Sequence, residues 1–165
     1  MDNLWAPWRM AFITPKEAPA PGCIFCTQPA EHNDAKHHII YRGEHCFMML
    51  NLYPYNSGHL MIAPYQHIGE LEKLDATTLA DLMAQSQLAL KALRYAMKPD
   101  GFNMGFNQGK VAGAGFAGHI HFHIVPRWEG DTNFMPVLAD TKVMPEHLDN
   151  VYRQLKDALE QVKGQ

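Results

Sequence analysis

Residues 119–125 read His119-Ile120-His121-Phe122-His123-Ile124-Val125, three histidines in strict alternation with apolar residues. Successive side chains of a β-strand point to opposite faces, so this spacing puts all three imidazoles on one side. Ile120, Phe122 and Ile124 then take the other side, where they can be buried. Imidazole has an ordinary pKa near neutrality, and a row of three concentrates nucleophile, base and ligand capacity. Three in five residues is improbable by chance even in a chain with 10 histidines. A His-x-His strand can chelate zinc or copper, and the same row can carry covalent or acid–base chemistry. Spacing alone leaves both open.

The segment before the row favours catalysis. It reads Gly109-Lys110-Val111-Ala112-Gly113-Ala114-Gly115-Phe116-Ala117-Gly118. Glycines let the chain turn so that the backbone N–H groups of Gly113, Ala114 and Gly115 face one concavity, which suits phosphate oxygens. This is not a Walker loop: no Gly-Lys-Ser/Thr closes it, and a strand follows where a helix would be expected. By itself it reads as a flexible hairpin. Beside three aligned imidazoles, a phosphate cradle is the better reading. Phosphoryl or nucleotidyl transfer through a covalent histidine needs this combination: a neutral imidazole attacks phosphorus, donors hold the non-bridging oxygens, and neighbours fix the ring's tautomer.

Cys23-Ile24-Phe25-Cys26 has structural-zinc spacing, although a redox pair or two buried thiols would look the same. No thioredoxin-like βαβ pattern surrounds it, which favours zinc. Cys46, beside Phe47 in an apolar stretch, reads as a buried core thiol. His37 and His38 sit in a polar stretch as reserve ligands. With three cysteines in all, the chain suits a reduced, cytoplasmic protein better than a disulfide framework. Its 165 residues are enough for one domain with a core of its own. A net charge of -3 excludes the basic field that long nucleic acid needs, so nucleotide recognition would be confined to a pocket. No apolar run reaches the length of a membrane span, and the acidic start, Met1-Asp2-Asn3, is unlike a secretory signal.

These side chains need elements to hold them. Residues 1–22, with Trp5, Pro7, Trp8, Pro15, Pro19 and Pro21, read as an extended arm whose aromatics dock on the domain or on a partner subunit. Residues 23–165 read as a single domain, with a polar loop over 27–38. Strands are expected at Ile39–Arg42 and His45–Asn51, turned at Gly43, and again at His59–Ala63 and Phe102–Asn107. Asp75 offers an N-cap for a long helix burying Leu79, Leu82, Met83, Ser86, Leu90, Leu93 and Met97, stopped by Pro99-Asp100-Gly101. Pro126 closes the histidine strand, and Asn133–Leu138 is irregular or a short strand. Pro145 opens a last helix burying Leu148, Val151, Tyr152, Leu155, Leu159 and Val162. The sum is an α+β domain with a largely antiparallel sheet and two main helices.

The row at 119–125 also matches the His-φ-His-φ-His-φ-φ signature, φ being apolar, of the histidine triad (HIT) family of nucleotide hydrolases and transferases. The resemblance covers nearly the whole chain. Asn51-Leu-Tyr-Pro-Tyr-Asn-Ser-Gly58-His59, Gly101-Phe-Asn-Met-Gly-Phe-Asn107, Pro126-Arg-Trp128-Glu-Gly-Asp131-Thr-Asn133-Phe134 and the Trp5-Ala-Pro-Trp8-Arg9 arm resemble its bacterial diadenosine tetraphosphate phosphorylase branch. More distantly the chain is similar to Fhit-type dinucleoside polyphosphate hydrolases.

The resemblance implies that His121 is the nucleophile that takes up the nucleoside monophosphate, flanked by His119 and His123. It makes His59 a further active-site histidine, Asn51 a ribose contact and Asn107 a hydrogen-bond donor to the reacting phosphate. Phe47 and Leu50 are expected to line the base site, and Trp128 to reach a nucleotide in the neighbouring subunit. It also implies a zinc site completed by His67 and His119 beside Cys23 and Cys26, which would make His119 structural. Family precedent implies a homodimer, with sheets joined across the interface, or a larger assembly. The chain departs from Fhit and Hint proteins at Gly113-Ala114-Gly115-Phe116-Ala117-Gly118, which offers no hydroxyl or amide side chain. Phosphate contacts there would be backbone N–H groups. The expected activity is cleavage of dinucleoside polyphosphates at the α-phosphate, with water or inorganic phosphate as acceptor. The alternatives are a Hint-like adenosine phosphoramidase and a non-catalytic nucleotide-binding module.

Overall fold

The chain turns at Gly43 because the Cys46 carbonyl accepts from its amide at 2.9 Å, closing a hairpin between β1 (Ile39–Arg42) and β2 (Cys46–Leu50). A Cβ at residue 43 would displace the ends of the Asp81 and Gln85 side chains. Those two residues grip the start of β2. One Asp81 carboxylate oxygen accepts from the amides of His45 and Cys46, both at 2.8 Å, and Gln85 Nε2 donates to the Cys46 carbonyl at 2.8 Å. In this computed structural model, residues 22–131 and 144–163 are described. Residues 1–21 of the expected arm and the stretch Asn133–Leu138 lie outside them.

On its other side β2 pairs with β3 (Leu60–Pro64), and β3 in turn pairs with β5 (Phe122–Arg127), which is reached after β4 (Gly101–Phe106). The described sheet has five strands in the order β1-β2-β3-β5-β4, and every pair is antiparallel. The period-2 pattern decides what each face holds. Cys46, Met48, Leu50, Leu60, Ile62, Phe122 and Ile124 point to one side and pack against the long helices, α3 (Ala76–Met97) and α4 (Leu148–Val162). Phe47, Met49, Met61 and Ala63 point to the other, where Phe25 of α1 (Ile24–Ala30) covers them. A second short helix, α2 (Asp34–His37), leads from α1 into β1.

Helix α3 starts at the expected cap. Asp75 accepts from the Thr78 amide at 2.8 Å, and Lys98 ends the helix in the left-handed region, just before Pro99. The Thr77 hydroxyl, with the Thr78 amide and hydroxyl, holds the Asp75 carboxyl well below the usual carboxylate range. Its buried face differs from the expected stripe. Met83 is 46% exposed, whereas Gln85, Ala89 and Ala92 are buried, Gln85 because it serves the β2 edge.

Several boundaries are corrected by the structure. Most of the loop expected over 27–38 is helical, in the second half of α1 and in α2: Phe25 and Pro29 are buried, and Asn33 caps α2 by accepting from the Lys36 amide. Burial and capping override the weak helical signal. The histidine strand begins at Phe122 rather than His119 and runs through Pro126 to Arg127. Its ladder with β3 stops at Ile62↔Phe122, and Ile120 donates instead to the Ile68 carbonyl at 2.6 Å. Pro126 is tolerated because β3 ends at Leu60↔Ile124; beyond it, the Pro126 carbonyl accepts from Asn56 Nδ2. Helix α4 begins at Leu148, three residues past Pro145, where the His147 side chain accepts from the Asp149 amide.

Candidate active site and metal centre

The β3–β5 register puts Met61 opposite His123, so His123 stands on the face covered by α1, away from the long helices. His121 joins it there, with ring centroids 4.7 Å apart. His59, immediately before β3, is fully buried and lies against His123 at 5.1 Å. The four histidines at 59, 119, 121 and 123 are all at most 8% exposed. Burial pushes the His121 pKa down and takes His119 to about 4, so both rings are neutral at physiological pH.

Hydrogen bonds fix which nitrogen of each ring carries the proton. His121 Nδ1 lies 2.9 Å from the His119 carbonyl, an acceptor only, so Nδ1–H donates and the lone pair is on Nε2. His119 Nε2 lies 2.9 Å from the Pro64 carbonyl, which puts the His119 lone pair on Nδ1. The Tyr55 amide donates to His59 Nδ1 at 3.1 Å, so His59 is protonated on Nε2 and donates to His123 Nδ1 at 2.9 Å. His123 then carries its proton on Nε2. The row therefore holds three different presentations: His121 offers a basic nitrogen, His123 a donor, and His119 a lone pair turned toward the thiols.

That last lone pair completes a second cluster. The ligand atoms of Cys23, Cys26, His67 and His119 all lie within 4.8 Å of one another. His119 Nδ1 is 3.4 Å from Cys23 Sγ and 3.5 Å from Cys26 Sγ, and His67 Nδ1 is 3.3 Å from Cys26 Sγ. Zn–S bonds of ~2.3 Å and Zn–N bonds of ~2.0–2.1 Å at tetrahedral angles put sulfur about 3.5 Å from nitrogen. The donor set fits zinc in type and in spacing. Burial and the adjacent Cys23 thiol push the Cys26 thiol up, a repulsion that a cation between them removes. His37 and His38 are used elsewhere, at 2.8 Å from Glu31 and 2.8 Å from Asp149 respectively. Cys46 is a buried core thiol, pushed up to about 12 by burial.

A model of the HIT domain matches residues 32–130. The chain belongs to the HIT family. The HIT chain is 38% identical over 162 residues to the AP-4-A phosphorylase of Mycobacterium tuberculosis, covering 94% of this chain and 83% of that one. It is 31% identical over 134 residues to an uncharacterized HIT-like protein of Methanocaldococcus jannaschii, covering 81% of this chain and 98% of that one. Among solved structures it resembles a Zn-bound histidine triad family protein from Mycobacterium smegmatis. There the TM-score is 0.70 and the identity 29%, over 87% of this chain and 96% of the other. The HIT fold is thus shown by sequence and by architecture.

Other expected site residues of this HIT chain fall in different places. Asn107 follows the last ladder pair, Phe106↔Phe122, which sets it across from His121. Asn51 is buried, accepts from the Tyr53 amide at 2.9 Å and lies 3.4 Å from His59 Nδ1, so its side chain braces the 51–59 loop. Gly113 and Ala114 donate their amides within a turn, to Lys110 and Gly109, which corrects the expected cradle at those two positions; Gly115 is exposed beyond them. Phe47 is on the histidine face but fully buried against Tyr65, centroids 5.3 Å apart. Leu50 is on the opposite face, in the core against the long helices, because three residues along a strand reverses the side. It is not brought to the histidines. Neither is Trp128 within this chain, whose Nε1 donates to the Met97 carbonyl at the end of α3.

Sequence reasoning missed two aromatic walls. Tyr55 stacks near His59 and His123, with centroids at 4.7 and 5.9 Å, and Phe25 stacks on His121 at 4.6 Å. The signal for Phe25 was its place between the two cysteines: whatever draws them to His119 draws Phe25 to His121.

Proposed function

We propose that this protein cleaves dinucleoside polyphosphates at the α-phosphate through a nucleotidyl intermediate on His121. The observation that carries the reading is the 2.9 Å bond from His121 Nδ1–H to the His119 carbonyl, which leaves Nε2 unprotonated. The 38% identity to an AP-4-A phosphorylase over 94% of the chain supports the substrate class.

In the first step the Nε2 lone pair bonds to the α-phosphorus, and the bond to the bridging oxygen breaks. The electron pair leaves with the nucleoside polyphosphate, a stable anion. The ring, now bonded to phosphorus, carries positive charge, and the His119 carbonyl stabilises it through Nδ1–H. His123 presents Nε2–H to a phosphate oxygen, held in that tautomer by His59. Asn107 offers a side-chain amide from the adjoining strand end. In the second step an oxygen of water or inorganic phosphate attacks phosphorus, the N–P bond breaks and the lone pair returns to Nε2; when water is the acceptor, its proton passes to solvent.

Cys23, Cys26, His67 and His119 would hold zinc. Bound there, zinc supplies a cross-link between the start of α1, the segment after β3 and the histidine row. His119 then acts through its carbonyl and not as an acid. The reading includes a cytoplasmic location, supported by a free Cys23/Cys26 pair, and a homodimer joined through the edge strand β4, where Met104 is 50% exposed. Among the described residues no helix is long and apolar enough to cross a membrane.

Incubation with diadenosine tetraphosphate, with and without inorganic phosphate, tests the proposal. ADP plus ATP means phosphorolysis, and AMP plus ATP means hydrolysis. No cleavage in either condition would refute the reading.

A further inference from the structure

A hydrogen bond fixes one atom of a ring and leaves the ring able to rock about that bond. His121 is held at Nδ1 by the His119 carbonyl, and its flat face is covered by Phe25, centroids 4.6 Å apart and planes 28° from parallel. Phe25 is 1% exposed, so its ring serves the protein's interior rather than an open wall. It also meets His119 at 5.2 Å and, edge to face, Phe116 of the glycine-rich loop at 5.9 Å. One ring therefore touches the reactive imidazole, the ring beside it and the loop expected to meet phosphate.

What holds Phe25 is the chain on either side of it. Cys23 caps α1 and Cys26 follows one residue after Phe25. Both sulfurs reach His119 Nδ1, at 3.4 and 3.5 Å, and Cys26 also reaches His67. The donor cluster thus anchors the backbone carrying Phe25 at the same point from which the His119 carbonyl aims His121.

We propose that Phe25 is a positioning residue for the nucleophile. Its ring fixes the plane of the His121 imidazole, and the Cys23/Cys26/His67/His119 cluster is the anchor that keeps it in place. The inference rests on His121 being the nucleophile. Side chains that lock the rotamer of a reacting group act through geometry, and misplacements near 1 Å are costly.

The test compares Phe25→Leu, which keeps apolar bulk and removes the flat face, with Phe25→Tyr, which retains a ring. Both are assayed as molecules loaded with one zinc per chain. Phe25→Leu is expected to lower kcat about 10- to 100-fold, with KM within about twofold. Phe25→Tyr should recover most of the loss. In parallel, nitrogen-15 and carbon-13 relaxation of the His121 ring should show a rigid ring in the native protein and a mobile one in Phe25→Leu, with the Nδ1–H tautomer kept in both because the His119 carbonyl still holds it. Should Phe25→Leu not fold, Phe25→Met is read in the same way.

A leucine variant with native kcat, one altered only in KM, or one with lowered Tm but native kcat and ring relaxation would overturn the proposal. His121→Asn is assayed alongside. If it retains turnover, the covalent reading falls, while the ring relaxation still decides whether Phe25 holds the imidazole.

Discussion

The two faces of the sheet are built from the same strands and solve opposite problems. On the helix face, Met48, Leu50, Leu60, Ile62 and Ile124 are wholly buried against Leu82, Leu93, Leu155 and their neighbours. That face is nearly all hydrocarbon, and its stability scales with apolar area removed from water. On the histidine face, Phe25, Phe47, Met49 and Met61 share the space with four buried histidines and a Cys/His cluster. Buried polar groups must be hydrogen-bonded, and here those bonds also set the tautomers. One face holds the fold together, and the other aims nitrogen lone pairs. The alternation of a strand lets one sequence do both without compromise.

Substitutions should separate the faces, beginning with the largest effect. His121→Asn removes the nucleophile and should lower turnover by about a thousandfold or more while nucleotide binding and Tm stay near native. Steady-state kinetics with calorimetry would check both. Leu82→Ala, on the helix face, should do the reverse: a cavity costs about 2–5 kcal/mol in urea unfolding, with kcat and metal content unchanged. A large loss of kcat there would mean that the faces are not independent.

Cys23→Ser with Cys26→Ser tests the boundary between the two. Zinc by elemental analysis should fall to background, and Tm should drop well beyond the effect of a surface change. Native stability together with native protein free of zinc would remove the metal site. A smaller effect belongs to the cap of α3. The Asp75 carboxyl is held below its ordinary value of 3.8, so its contribution is complete above that pH and is lost as pH falls toward the folded value. Asp75→Asn keeps a capping oxygen that does not titrate, and should flatten the loss of stability between about pH 4 and 2. Smallest of all, Met83→Gln at a 46% exposed site should change stability by less than about 0.5 kcal/mol, despite its place in the apolar stripe.

The helix face was largely legible in the sequence. Asp75, Pro99 and the spacing of Leu82, Ser86 and Leu93 placed α3, and Val151, Leu155 and Leu159 placed α4. Errors there were local. Met83 and Gln85 exchanged roles because a glutamine was needed at the β2 edge, a tertiary demand that periodicity does not carry. On the histidine face, alternation put His121 and His123 on one side, but contacts between distant segments were legible only through resemblance. The approach of Cys23 and Cys26 to His119 spans more than ninety residues, with separations of 96 and 93. No local propensity encodes that. Leu50 shows the same limit in reverse: adjacency to Phe47 in sequence hid that a strand sends them to opposite faces. The inward turn of the Gly113 and Ala114 amides was invisible for a related reason, since glycine content permits many turns and selects none.

The stereochemical course at phosphorus tests the covalent step most directly. A dinucleoside polyphosphate with a chiral α-phosphorothioate would be turned over with oxygen-labelled water or phosphate, and the product's configuration determined. Two in-line displacements, through His121 and then the acceptor, give overall retention. Inversion would show a single direct displacement and contradict a bond between imidazole and phosphorus.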